Sequence, residues 1–451
     1  MQVTELTHDG LKHEFKITVA ADDIASRIDK RLVEIGRSVR LPGFRPGKVP
    51  MSVLKTRFLS HVRGEVLQEA VSEAADETLK EHNLRPAMQP KVEIAAFDEG
   101  NDLEYTLAVE ALPEIEPMDF STISLERWKP EIPDAEVDES LKRLAERQRK
   151  SAPVERPAET GDLLVIDFAG EVDGKEFPGG SASDYRIELG KGGFIPGFED
   201  QLIGANAGEA RDVEVTFPTD YGVPDLAGNP AKFAVTVKEV HAFEDRPIDD
   251  KLAEELGMEN LAELRQIVRE QNEREYQDVA RQRLKRQLLD RLAQHHDFPV
   301  PPGMADAEFD TIWRQYQVQA ERAKETGVSD FNEGKTDDEV STDFRRMAER
   351  RVRLGLLLSE VAKRHNISVS QEELNQALVA EARRFPGQER KVVEYYRSEP
   401  AAIDALRAPI LENKVIDHIL ETAQISERAV PAAELIAAEE SEAKRDEHGP
   451  A

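Results

Sequence analysis

The spacing of apolar residues changes twice along this chain, and each spacing admits a different kind of structure. Leu11, His13, Phe15, Ile17 and Val19 stand on alternate positions, the period of a half-buried strand. Ile24, Ile28, Leu32 and Ile35 follow at helical spacing, behind Asp22 and Asp23, either of which supplies N-cap chemistry. Pro42 disfavours helix in the residue before it, so this helix ends near Val39–Leu41. Val53, Leu54, Phe58, Val62, Val66 and Leu67 predict a second helix over about 50–80, and Leu103, Tyr105, Leu107, Val109 and Ala111 alternate again. The order strand, helix, loop, helix, strands reads as one α+β domain over residues 1–112.

Residues 113–150 open on the proline-marked "PEIEPMDF" and read as a linker with one short helix at Val137, Leu141 and Leu144. "APVERPAETGD" (152–162) reads as a further linking stretch. The block 151–243 is β-rich: "ARDVEVTF" and "KFAVTVKEV" alternate, and Asp173-Gly174 is a strong hairpin signal. Within it, "GFEDQLIGA" has room for only one or two helical turns. From Ile248 the period is helical, with helices over about 247–295, 302–326, 337–365, 371–385 and 389–422, so 244–428 reads as an all-α domain. Residues 429–451 are acidic and Ala-rich with few large apolar side chains, the composition of a disordered tail. The fold class is therefore α+β and multidomain, and 451 residues suit about three domains at roughly 100–200 residues each.

The formal net charge is -30, and so negative a body repels nucleic acid as a whole. Yet no acidic residue falls between Gly36 and Gly64, a window that holds Arg37, Arg40, Arg45, Lys48, Lys55, Arg57 and Arg63. A basic patch on such a body orients it toward an anionic surface while the rest is held off. The absence of cysteine excludes disulfides and thiolate metal sites and fits a reducing compartment. No basic segment leads into an apolar run at the N-terminus, and no segment approaches the ~18 apolar residues of a membrane span, so a cytoplasmic protein without membrane contact is expected.

Phe168, Phe177, Tyr185, Phe194, Ile195, Phe198, Tyr221 and Phe233 fall in the β-rich block of a chain that is only 6% aromatic. On the residues alone they suit a sandwich core as well as a binding pocket. The run "GKGGFIPGFEDQLIGANAGEARDVEVTFPTDYG" (190–222) resembles FKBP-type peptidyl-prolyl isomerases. That resemblance implies a half-open antiparallel sheet wrapped on a short helix, with these eight residues forming the catalytic pocket and the Ile195 N–H as hydrogen-bond donor. Phe198 stands where the family usually has a tryptophan, and Pro178 where many members are acidic, so drug-like FKBP ligands are not expected. The chemistry needs no nucleophile. Rotation about X–Pro is opposed by a barrier of roughly 18–20 kcal/mol because planarity preserves amide resonance. The twisted amide carries less charge separation, so a dry apolar pocket favours it.

The stretch "LPGFRPGKVP" (41–50), read on its own, is a loop between two helices. It resembles the ribosome-binding signature G-F-R-x-G-x-x-P of the bacterial trigger factors, with Gly43, Phe44, Arg45, Gly47 and Pro50 at the fixed positions. The order of a signature-bearing domain, an FKBP-like block and a helical C-terminal domain matches as well. The chain is identified as a member of that family up to about Arg428. The resemblance implies docking of Gly43, Phe44, Arg45, Pro46, Gly47, Lys48 and Pro50 on large-subunit protein and ribosomal RNA near the tunnel exit. It also implies the holding of nascent and unfolded polypeptides in an open state, and allows a homodimer when free. The alternative is a tethered prolyl isomerase whose main role is catalytic.

No cofactor or metal is expected. "LGKGGF" lacks the Lys-Ser/Thr of a P-loop, and His295-His296 are neighbours that point apart on a helix. Asp249-Asp250 and Glu254-Glu255 read as helix-start charge, not as paired catalytic carboxylates. Ile312, Trp313 and Tyr316, and Val352, Leu354, Leu356, Leu357, Leu358 and Val361, form helical stripes in which core and substrate lining look alike.

Overall fold

Two alternating runs become neighbouring strands in a computed structural model that describes residues 1–39, 41–42, 44, 49–96, 101–218, 221, 223, 226–325 and 335–447. The chain begins with β1 (Gln2–Asp9) and β2 (Lys12–Val19), followed by α1 (Ala21–Ser38), α2 (Met51–Glu81), β3 (Lys91–Ala96) and β4 (Leu103–Glu110). The four strands form an antiparallel sheet in the order β1-β2-β4-β3. Phe15, Ile17 and Val19 of β2 and Leu103, Tyr105, Leu107 and Val109 of β4 pack against Ile24, Ala70, Ala74 and Leu79 of the helices. Ala20 takes the N-cap position, where Asp22 or Asp23 was expected. The two aspartates lie in the first turn and meet the positive end of the helix dipole, while Asp102 Oδ1 accepts the Ala21 N–H at 2.8 Å. The helix ends at Val39, whose N–H bonds the Ile35 carbonyl, as Pro42 requires.

The next elements are β5 (Ser124–Glu131), α3 (Asp134–Arg147), β6 (Ser151–Pro153), β7 (Leu163–Val172), β8 (Lys175–Glu188), α4 (Phe198–Leu202), β9 (Ala210–Thr216) and β10 (Pro230–Phe243). Asp173 (φ 51°) and Gly174 (φ 74°) turn the chain between β7 and β8, as the dipeptide predicts. β10 is the spine of the sheet: β7 takes one edge, and β6 and β9 share the other at its two ends. The 152–162 stretch therefore begins inside a strand.

Helices follow: α5 (Asp250–Glu255), α6 (Leu261–His295), α7 (Pro302–Glu325), α8 (Asp337–Arg364), α9 (Gln371–Arg383), α10 (Glu389–Ser398) and α11 (Pro400–Thr422). One helix was expected over 247–295. It is broken at Gly257, whose φ of 85° is left-handed. Asp249 caps α5 by accepting the Leu252 N–H, and Asp250 accepts the Leu261 N–H, so both are backbone-capping groups.

Contacts sort the chain into two compact units, one of residues 1–121, 289–311 and 344–422, the other of 122–288, 312–343 and 423–451. In the first, Glu110 accepts the Gly303 N–H at 2.7 Å, and Arg364 donates to the Ile115 carbonyl at 2.7 Å. His296 is buried there. Its Nε2 accepts the Met118 N–H at 3.1 Å, so its proton sits on Nδ1, 2.8 Å from the Leu292 carbonyl. That ring is a structural bridge.

The tail departs from the sequence reading. β11 (Gln424–Pro431) pairs in parallel with β5, and α12 (Ala432–Glu447) follows it. Composition predicted disorder because apolar residues are scarce there. Two of the few present are buried: Val430 and Leu435 pack with Trp128 and Ala280, beside Tyr276 and Val279. Arg283 lies 3.9 Å above the Trp128 ring, and Arg286 pairs with Glu439 at 3.0 Å. Leu435→Ala should cost about 2–5 kcal/mol of tail stability. Hydrogen exchange should then show faster amide exchange over 424–440, with turnover on a proline peptide unchanged.

Candidate functional site

The aromatic residues singled out above converge between the second sheet and α4. Phe168 on β7 and Phe233 on β10 are buried, with ring centroids 6.2 Å apart. Phe198, the first residue of α4, is fully buried and forms the floor: it stacks on Phe194 at 4.5 Å and meets Phe233 edge-on at 5.3 Å. Phe194 also meets Phe168 and Tyr185, each at 5.4 Å. Phe177 of β8 lies 6.1 Å from Phe233, and Ile195 packs against the same core. Tyr185 and Tyr221 remain exposed at the rim, 42% and 37% respectively. These residues thus belong to one packed cluster, and edge-to-face contacts at these distances suit the ring quadrupoles.

Three components escaped the sequence reading. Phe217 joins Phe177 at 5.8 Å to Tyr221 at 4.6 Å, so without it Tyr221 would stand apart. Its place at the end of an alternating strand was the available signal. Gly170 is the second: a Cβ there would sit 2.4 Å from the Phe233 ring, so only glycine lets that ring lie against β7. The third is Glu199, a buried carboxylate that accepts backbone N–H groups from Gly190 at 2.8 Å, Gly192 at 3.1 Å and Phe194 at 3.3 Å. The glycines of "GKGGF" serve this turn, with Gly190 and Gly192 at φ 88° and 69°. The loop that carries Phe194 and Ile195 is therefore folded around a side chain from the pocket-floor helix.

Arg211 of β9 holds the other end of that helix, donating to the Gln201 and Ile203 carbonyls, each at 2.9 Å. Glu209 orients Arg211 at 2.7 Å. Its carboxyl is lowered to about 2, first by Arg211 and then by the Asn206 N–H. The cluster presents Tyr185 and Tyr221 to solvent above a buried aromatic core whose helix and loop are held by hydrogen bonds.

The basic stretch is less fully seen. Gly43, Arg45, Pro46, Gly47 and Lys48 lie outside the described residues. Phe44 is 39% exposed and donates its N–H to the Leu41 carbonyl at 3.1 Å, and Pro50 precedes α2 as its N-cap. Leu32, Leu54, Val62 and Val66 give this end of the α1–α2 hairpin its own small core. Lys55 is paired with Asp29 at 2.8 Å, so the basic window is partly neutralised.

A sheet packed on one short helix, with an aromatic cluster between them, suits an FKBP-type peptidyl-prolyl isomerase domain, and residues 154–238 match the family of that name. Residues 1–144 match "Bacterial trigger factor protein (TF)", and residues 260–421 match its C-terminus. The trigger factor of Rhodospirillum centenum is 50% identical over 439 residues, covering 97% of each chain. That of Paramagnetospirillum magneticum is 50% identical over 436 residues, or 96% of this chain and 94% of its own. That of Azospirillum brasilense is 47% identical over 446 residues, or 98% and 100%. A solved structure described as "Promiscuous Substrate Recognition in Folding and Assembly Activities of the Trigger Factor Chaperone" shares the fold, with a TM-score of 0.56 at 20% identity over 93% of this chain and 99% of that one. This chain belongs to the bacterial trigger factor family, chaperones with an FKBP-type isomerase domain. Among the described residues, no helix is long and apolar enough to cross a membrane.

Two expectations follow. Glu199→Ala strands three backbone donors, which should cost about 1–3 kcal/mol and release the Phe194–Ile195 loop. A peptide assay should show a large loss of turnover while circular dichroism shows a folded chain. Glu209, depressed in the folded state, stabilises fully above its unfolded value of about 4.3, and that contribution is lost as pH falls toward 2. The thermal-midpoint gap between the parent and Glu209→Gln should therefore close across that window.

Proposed function

We propose that this chain works in the cytoplasm, docks on the large ribosomal subunit beside the tunnel exit, and holds emerging polypeptides open while isomerising their X–Pro bonds. Docking falls to domain 1–112 through Gly43, Phe44, Arg45, Pro46, Gly47, Lys48 and Pro50. Isomerisation falls to 151–243, and holding to the helices of 244–428. The observation that carries the docking reading is the exposed Phe44 at the turn of a helical hairpin with its own core. An exposed aromatic ring at a turn offers apolar area that charge cannot supply, and a rigid base lowers the entropy lost on docking. Beside it, Arg45 and Lys48 supply charge for ribosomal RNA or acidic protein side chains, with the affinity of Arg45 increased by charge-assisted hydrogen bonds. Pro46 stiffens the loop.

In the isomerase site, Phe198 forms the floor for the substrate proline, and Phe168, Phe177, Phe194, Phe233, Tyr185 and Tyr221 form the walls and rim. The Ile195 N–H donates to the carbonyl before the proline. Water exclusion does most of the catalysis, because the twisted amide loses less on leaving water than the planar one does.

The test is the triple variant Phe44→Ala, Arg45→Ala, Pro46→Ala. Co-sedimentation with purified ribosomes should fall by tenfold or more, since a desolvated aromatic and an arginine tend to carry most of an interface's energy. Turnover on a short proline peptide should be unchanged. A folded variant that pellets with ribosomes like the parent would refute the docking assignment.

A further inference from the structure

The tip of the β1–β2 hairpin carries three side chains that the functions above do not use. Gly10, with φ 58°, reverses the chain, and His8 stands directly opposite His13 in the ladder. Directly opposed residues share a face of an antiparallel pair, and here the two imidazole rings stack at 4.4 Å. Glu5 is three positions before His8, so simple alternation would put it on the other face. The register slips between Glu5 and Thr7, leaving Leu6 as an extra residue, and Glu5 pairs with Phe15. This bulge returns Glu5 to the histidine face.

The three polar tips then meet. His13 Nδ1 lies 3.3 Å from Glu5 Oε1, and His8 Nδ1 lies 3.9 Å from the same oxygen. One ligand atom from each residue falls within 4.8 Å of the other two. A tetrahedral zinc ion with bonds of about 2.0–2.1 Å needs ligand atoms roughly 3.4 Å apart. His13 is held: its side chain is 10% exposed, and its ring runs parallel to Phe15 at 6.2 Å. His8 and Glu5 are 61% and 38% exposed and free to make the small rotation required.

We propose that Glu5, His8 and His13 form a site for a divalent transition-metal ion of the zinc class. The three residues supply two imidazoles and one carboxylate, and water fills the fourth position. This donor set excludes the hard ions: magnesium and calcium take oxygen ligands, whereas imidazole suits zinc and its neighbours. The sequence reading expected no metal, and weighed only the helical pair His295-His296. The ion's role here is mechanical. β1 is an edge strand with mostly exposed side chains and a register slip, and a metal cross-link would fix it to β2.

The experiment is a calorimetric titration of metal-free, full-length chain with Zn²⁺, beside Glu5→Gln and His8→Ala. Both substitutions are at exposed side chains, so the fold should survive, which circular dichroism checks. The parent should bind an equivalent of Zn²⁺ that each variant weakens at least tenfold. Zn²⁺ should also slow amide exchange over residues 2–19 in the parent alone. Zn²⁺ held elsewhere on the chain would appear equally in all three proteins and so cancels. The proposal is overturned if the parent binds no Zn²⁺, or if both variants keep its stoichiometry and affinity. Ribosome docking and isomerase turnover do not enter either readout.

Discussion

The isomerase domain depends on a single apolar cluster that runs from the core to the solvent-facing rim. Phe168, Phe198 and Phe233 are buried, and their ring contacts run without a break to Tyr185 at the rim. The rings that reach the rim are therefore continuous with those that stabilise the fold, and they cannot shift without loosening the core. Glu199 and Arg211 extend this rigidity to the pocket-floor helix from opposite ends, one through backbone amides and the other through backbone carbonyls. A five-residue helix could not hold its own position by helical hydrogen bonds alone.

Charge works on a different scale. Among the described residues most ion pairs involve a solvent-exposed side chain, and each such pair contributes little to stability. The net charge of -30 acts through its sum, as a long-range repulsion of other polyanions. The exceptions are polar groups that touch backbone. Asp249, Asp102 and Glu110 each satisfy an N–H group at a helix start.

How much of this was legible in the sequence follows from the range of each interaction. Alternation in β2 and β4, the stop at Pro42 and the turn at Asp173-Gly174 are local, and each was readable. The grouping of the eight aromatic and apolar residues in one domain was readable too, although only Phe194, Ile195, Phe198 and Tyr221 lie in the motif's own run. β1 was missed because an edge strand needs little apolar patterning, and QVTELTHD shows almost none. The break at Gly257 was hidden inside a long polar helix pattern. Glu199 looked like any acidic residue in a first helical turn, and only the fold brings three amides to it. Glu5 and His8 could not be paired by counting, because the bulge inverts the parity on which counting rests. The tail was misread for a related reason: two buried apolar residues are invisible to composition when their partners lie far away in sequence.

That last distance has a consequence in time. The Ser426 hydroxyl donates to the Leu125 carbonyl across 301 positions, within a parallel pair that joins β5 to β11. A ribosome extends a chain by about 5–20 residues per second. For roughly 15–60 s after β5 has been made, its partner strand does not yet exist. Trp128 and an open row of backbone donors and acceptors wait through that interval, an edge on which another chain could add a strand. The strand that covers this edge leaves the tunnel about 300 residues after β5. During its own synthesis the molecule is thus exposed to the same hazard as any newly made chain, until β11 folds back onto β5.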